Sequence, residues 1–117
     1  EQLIQAVLNI AHNAVQALAE RILAGDAELV FRTRIGRQVT IGKQRWRLAL
    51  ELHIEDNGPG VPEVIRERIF FPLVTGREGG SGLGLTLAQT FVQQHQGTIE
   101  CASEPGRTVF TVLIPLP

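Results

Sequence analysis

Apolar positions Leu3, Val7, Ile10, Ala14, Leu18 and Ile22 recur every three or four residues and stop at Gly25-Asp26, a spacing that predicts one helix over residues 1–24. Beyond it the period changes. The stretch "AELVFRTRI" (27–35) reads as a strand and "RWRLALELHIED" (45–56) as a second one with clean alternation, joined by the polar hairpin connection "GRQVTIGKQ". A short helical stretch, "PEVIRERIF", follows "DNGPG". A helix over about 82–96 comes next, with Leu83, Leu87, Ala88, Phe91 and Val92 as its apolar side and Gly97 at its end. Two last strands, "TIECAS" and "TVFTVLIPL", flank the turn "EPGR". This order predicts an α+β fold: a two-layer sandwich in which a mixed, mostly antiparallel sheet carries helices on one face and leaves the other to water.

Polar residues interrupt the pattern at three places. On the first helix, at 100° per residue, Gln2, Gln5, His12, Asn13, Gln16 and Glu20 all lie within about 60° of Asn9. The glutamines and Glu20 suit a solvated face. Asn9 and Asn13 sit away from the caps where asparagine is useful, and two uncharged amide oxygens one turn apart suit Mg²⁺, a hard ion that shares its ligands with phosphates. On the second strand Leu48, Leu50, Leu52 and Ile54 share a face, and period two puts Asp56 on it as well. Two readings stand side by side there. Asp-Asn-Gly-Pro-Gly is an ordinary turn, or Asp56 accepts from the exocyclic amino group of a flat base that Gly58 and Gly60 allow to come close. Thr108, on the face of Phe110, Val112 and Ile114, is placed to support Asp56. The third place is "GREGGSGLGL" (76–85), where Gly82 and Gly84 sit at the start of a helix. Unsatisfied amides and the positive end of the helix dipole make a phosphate site there, whereas a slack linker would not lead directly into Leu83 and Leu85.

Composition narrows the choice. The chain of 117 residues is long enough for one domain with a single core, and its net charge of −1 does not favour nucleic acid as partner. A single cysteine, Cys101, excludes an internal disulfide and suits a reducing, cytoplasmic setting with a small, buried or half-buried thiol. No membrane span or signal peptide is visible, and the absence of an initiator methionine suggests a piece of a larger protein. "GRQVTIGKQ" is not a Walker A loop, because its glycines are one residue too far apart and Gln44 follows Lys43. "GSGLGL" is not a dinucleotide fingerprint, since no strand immediately precedes it and its third glycine is missing. His12, His53 and His95 lie on separate elements without metal-ligand spacing, and His53 and His95 read as surface residues.

Three stretches in this order, "NIAHNA", "DNGPG" and "GGSGLGL", resemble the N, G1 and G2 boxes of the ATP-binding catalytic domain of sensor histidine kinases, with "IFFPLVTGRE" in place of the F box and ATP lid. "NAVQAL", "FRTR", "FPLVTGREGGSGLGL" and "EPGRTVF" are most similar to the nitrogen-regulating members. The resemblance implies the Bergerat-type fold shared with gyrase, Hsp90 and MutL ATPases, and Mg²⁺-ATP as ligand. Carried over by position, Asn13 and Asn9 would hold the metal and Asp56 would recognise adenine. Gly58 and Gly60 would shape the base pocket, Thr108 would support it, and Gly80, Gly82, Leu83 and Gly84 would wrap the phosphates. Phe70 or Phe71 and Leu73 would anchor the lid, and Arg77 would contact the γ-phosphate. His12 stands where many members carry a glutamate proposed to assist the acceptor histidine, a departure that leaves its role as a base open; Gln16 replaces a frequent lysine. No His-Glu-x-x-Asn-Pro acceptor motif occurs, so the implied partners are an acceptor-histidine dimerisation domain, a response regulator and a PII-type signal protein, with the isolated domain monomeric. A nucleotide-binding docking platform for the PII-type regulator and a gyrase-like ATPase are the alternatives.

Overall fold

A computed structural model describes residues 2–61 and 84–116. Helices α1 (Gln2–Ala17), α2 (Ala19–Ala24) and α3 (Gly84–Gln94) pack with strands β1 (Leu29–Ile41), β2 (Gln44–Asp56), β3 (Thr98–Glu104) and β4 (Arg107–Leu116). The helical stretch expected after "DNGPG" lies outside the described residues, as do Phe70, Phe71, Leu73, Arg77, Gly80, Gly82 and Leu83. The sheet order is β1-β2-β4-β3, and every neighbouring pair is antiparallel.

The first helix differs from its expected form. Residues 2–24 form two helices rather than one, because Leu18 leaves helical geometry at φ −90°, ψ 4° and its amide bonds back only three residues, to the Val15 carbonyl at 3.1 Å. No proline or glycine marks this bend. It is a tertiary effect: Arg21 Nε donates to the Asn57 carbonyl at 3.2 Å, drawing α2 onto the loop after β2. Ala6, Ile10, Ala14 and Leu18 are buried at steps of four, whereas Ile22, past the bend, is 54% exposed.

The hairpin is also longer than its polar sequence indicates. Most of "GRQVTIGKQ" is strand, since Val39 pairs with Trp46 and Ile41 with Gln44, leaving only Gly42-Lys43 as the turn, with Gly42 at φ 63°. Pairing of β2 with β4 begins at Leu48 and Leu116, so the hairpin tip projects as a two-stranded ribbon.

The core joins Ala6 and Ile10 of α1, Ala88 and Val92 of α3, Ile54 of β2, and Phe110 and Val112 of β4. Within α3 the buried face is Leu85, Ala88 and Val92, and Leu87, expected on it, is 47% exposed. Helical cover reaches β2 through α1 and β3 through α3. Phe31 and Ile35, on the same face of the edge strand β1, stay 48% and 53% exposed. The opposite face carries the ion pairs Arg34–Glu51 at 2.8 Å and Arg32–Glu55 at 3.4 Å, as a solvated face should. His53, expected at the surface, is half-buried there, with Nδ1 3.2 Å from Thr111 Oγ1.

Gly97 ends α3 for a reason other than backbone freedom. The left-handed residue of this Schellman cap is Gln96 at φ 64°, with Gly97 N–H donating to Val92 O and Gln96 N–H to Gln93 O. A side chain at Gly97 would overlap the Leu113 carbonyl oxygen of β4.

Candidate functional site

Asp56 is the last residue of β2 and lies directly opposite Thr108 of β4. Both are on the helix-covered face, 2% and 4% exposed, in a core that is otherwise apolar. Alternation along β2 therefore does what the sequence implied: it carries an acid into the interior. The chain turns immediately afterwards, because the Gly58 amide donates to Asp56 Oδ1 at 2.9 Å, a side-chain turn closed two residues on. Oδ2 is buried as well.

The loop 57–61 is clamped from several sides. A Cβ on Gly58 would come within 2.8 Å of the Ala17 carbonyl oxygen at the end of α1, and one on Gly60, at φ 89°, within 2.8 Å of the Glu104 carbonyl oxygen. Both glycines thus let the loop fit against its own chain. The Gly106 amide donates to the Gly58 carbonyl at 3.0 Å. On the other side Asn57 Nδ2 donates to Asp26 O at 2.9 Å, and the Glu28 amide donates to Asn57 Oδ1 at 2.8 Å. Replacing Asn57 by alanine deletes both bonds, and urea denaturation should show a loss of about 1–2 kcal/mol.

On α1, Asn9 and Asn13 are half-buried while Gln5, His12 and Gln16 are exposed, as is Glu20 on α2. The two asparagines are thus set apart from the solvated stripe around them. Asn9 Oδ1 accepts from Gln5 Nε2 at 3.0 Å. Gly84 opens α3, whose first turn is pinned by buried Leu85. Of the predicted set, the described residues Asn9, Asn13, His12, Asp56, Gly58, Gly60, Thr108 and Gly84 lie on α1, the β2 loop, β4 and the start of α3; the remainder fall outside the described residues. A cavity of about 430 Å³ bordered by Ala17, Arg21, Pro59 and Gly106 shares only Gly58 with that set.

The donor chemistry fits Mg²⁺-ATP. The buried Asp56 carboxylate is an acceptor of the kind a base amine needs. No three His, Cys, Asp or Glu residues converge among the described residues, so a metal here would rely on asparagine amides and on phosphate oxygens.

Ser103 and Val61 escape sequence reasoning. The Val61 amide donates to Ser103 Oγ at 2.7 Å, and that oxygen lies 2.9 Å from Thr108 Oγ1. The register of β3 on β4 sets Ser103 opposite Thr108, but only strand pairing reveals it.

The profile of the histidine kinase-, DNA gyrase B- and HSP90-like ATPases matches residues 1–117. The sensory histidine kinase/phosphatase NtrB of Escherichia coli O157:H7 is 45% identical over 116 residues, which is 99% of this chain and 32% of that protein. NtrB of Rhizobium leguminosarum bv. phaseoli is 39% identical over 119 residues, 98% of this chain and 30% of that protein. The chain thus spans about a third of the length of these relatives. Among solved structures, the mycobacterial sensor histidine kinase MprB superposes with a TM-score of 0.71 at 27% identity, over 95% of this chain and 70% of that one. The catalytic domain of histidine kinase ThkA, at 23% identity, shares the fold with a TM-score of 0.72 over 97% of this chain and 66% of that one.

Proposed function

The chain belongs to the histidine kinase-, DNA gyrase B- and HSP90-like ATPase family, and from that premise we propose that it binds Mg²⁺-ATP and donates the γ-phosphoryl group to a histidine on a separate dimerisation domain. From there the group passes to an aspartate of a response regulator. The relatives named as sensory histidine kinases/phosphatases support the kinase reading, and we extend the proposal, on the motif resemblance, to nitrogen regulation with a PII-type protein as regulator in a cytoplasmic setting. Among the described residues no helix is long and apolar enough to cross a membrane.

One observation carries the reading: the buried carboxylate of Asp56, held at the mouth of a loop whose shape its own chain dictates. Asp56 accepts from the adenine amino group, and the rigid loop fixes the base plane. The Asn9 and Asn13 amides lie on α1, and the amides at the start of α3 are donors for phosphate oxygens. Asn13 and Asn9 would hold Mg²⁺, which would supply charge neutralisation at the phosphates when bound. The protein's share is positioning and electrostatic stabilisation, because phosphoryl transfer through a loose transition state asks little covalent chemistry of the enzyme.

Calorimetric titration with ATP, with and without Mg²⁺, tests the site, and transfer of labelled γ-phosphate to a supplied acceptor-histidine domain tests the reaction. Asn13→Ala should remove most of the Mg²⁺ dependence while the metal-free affinity changes by less than about threefold. A wild-type chain that binds no ATP by calorimetry and by a second method overturns the proposal. Rapid release of free phosphate without transfer would favour the gyrase-like ATPase instead.

A further inference from the structure

Strand β2 ends at Asp56 on one side and enters the free ribbon of the β1–β2 hairpin on the other. At about 3.3 Å per residue, Arg47 lies roughly 30 Å along the strand from Asp56. Residues 37–47 of the ribbon hold Arg37, Lys43, Arg45 and Arg47 and no acid, and all four cations are exposed. These are four of the chain's 11 cations; the other seven share the rest of the chain with all 12 acids, a net charge of −5 there. The overall charge of −1 hides this separation.

The same two strands supply a comparison. Where β2 is paired within the sheet, cations of β1 face acids of β2: Arg32 lies 3.4 Å from Glu55 and Arg34 2.8 Å from Glu51. On the ribbon none of the four cations enters an ion pair among the described residues. Charges that only keep an exposed ribbon soluble serve best with both signs interspersed, which avoids repulsion between neighbours. A single sign carries that repulsion until an oppositely charged surface removes it. The ribbon is also packed rather than slack: Ile41, beside the Gly42-Lys43 turn, is buried, and Trp46 is half-buried. Arginines around a tryptophan on a formed element have the composition of a protein interface.

We propose that the β1–β2 ribbon is a docking element for the acidic face of a response regulator. Of the partners the kinase reading implies, this is the one whose reaction demands such a face. A protein that takes a phosphoryl group onto an aspartate in the presence of Mg²⁺ gathers further carboxylates there to hold the metal. The choice of partner rests on that reading; the basic ribbon does not. Attraction between the two surfaces acts chiefly on the association rate and weakens with salt. The distance from Asp56 lets the ribbon hold a partner without covering the nucleotide site.

The test measures association of the response regulator's phosphoacceptor domain with this chain by stopped-flow anisotropy, and uses fluorine-labelled Trp46, the only tryptophan, as a local reporter. Wild type should bind and shift the Trp46 signal, and association should slow at least about tenfold between about 50 and 300 mM salt. The combined variant Arg37→Gln, Lys43→Gln, Arg45→Gln, Arg47→Gln should associate about tenfold or more slowly at low salt and lose most of the salt dependence, while its ATP affinity stays within about twofold of wild type. Arg37→Lys, Arg45→Lys and Arg47→Lys together keep the charge and should keep the rate. Equal association of wild type and the glutamine variant, an unmoved Trp46 signal, or no complex at low salt overturns the proposal. Equal affinity for duplex DNA or for anionic phosphatidylserine vesicles overturns it too, by showing a surface for any polyanion. Should the fourfold variant fail to fold, Arg45→Gln with Arg47→Gln provides the same comparison. A chain that binds the response regulator but no ATP would overturn the kinase reading and leave the docking element standing.

Discussion

Asp56→Asn is expected to abolish measurable ATP binding while the domain stays folded. The substitution keeps the shape of the side chain and an oxygen for the Gly58 amide, which now donates to Asp56 Oδ1 at 2.9 Å. What changes is the second position: a carboxylate oxygen becomes an NH₂ group that faces the adenine amine donor to donor. A hydrogen bond to a charged acceptor contributes about 1.5–3 kcal/mol, and leaving two buried donors without acceptors adds a desolvation cost of similar size. The sum is at least about 3 kcal/mol, so the dissociation constant should rise more than about 100-fold. Stability should move little or rise, because a buried charge has been removed from an apolar setting. Calorimetry and a thermal melt on the same sample separate the two effects. Unchanged ATP affinity in a folded variant would show that the base lies elsewhere.

The largest effect on folding is expected from Gly97→Ala. A Cβ there overlaps the Leu113 carbonyl oxygen and comes within 3.0 Å of Ile114 Cδ1 and 3.1 Å of Val92 Cγ1. The side chains can adjust, but the Leu113 backbone cannot easily do so. It sits in a strand paired on both sides, opposite Thr98 of β3 and Glu51 of β2. The end of α3 must therefore lift off the sheet, at a cost of about 3 kcal/mol or more, which lowers the melting temperature by about 15 °C. Gly106→Ala is the natural comparison, since its Cβ meets nothing within 4 Å and only its φ of 88° is unfavourable. That variant should lose about 1–2 kcal/mol. Equal losses in the two variants would contradict close packing of α3 on β4.

Gly97 also shows where sequence and structure part. Its place at the end of a helix was legible in the sequence, yet the residue that turns left-handed is Gln96, and the glycine serves a contact with a strand sixteen residues later. Asp56 is the opposite case. Period two along β2 places it on the apolar face before any tertiary information, and its burial follows. Asn9 and Asn13 were legible because asparagine gains little in mid-helix, and they are the half-buried members of an otherwise exposed polar stripe.

The sequence by itself determined the class of fold, the face on which Asp56 and Thr108 lie, and the motif set that marks the family. These depend on periods of 2 and 3.6 residues and on short motifs, which neighbouring residues specify. Only the tertiary structure decided the bend at Leu18, the length of the hairpin, the two-sided clamp of Asn57 and the link from Val61 through Ser103 to Thr108. Each of the last two joins residues far apart in the chain: Asn57 to Asp26 across 31 positions and Val61 to Ser103 across 42. A hydrogen bond between such residues exists only once the strands have paired, and no local pattern encodes which hydroxyl will meet which amide.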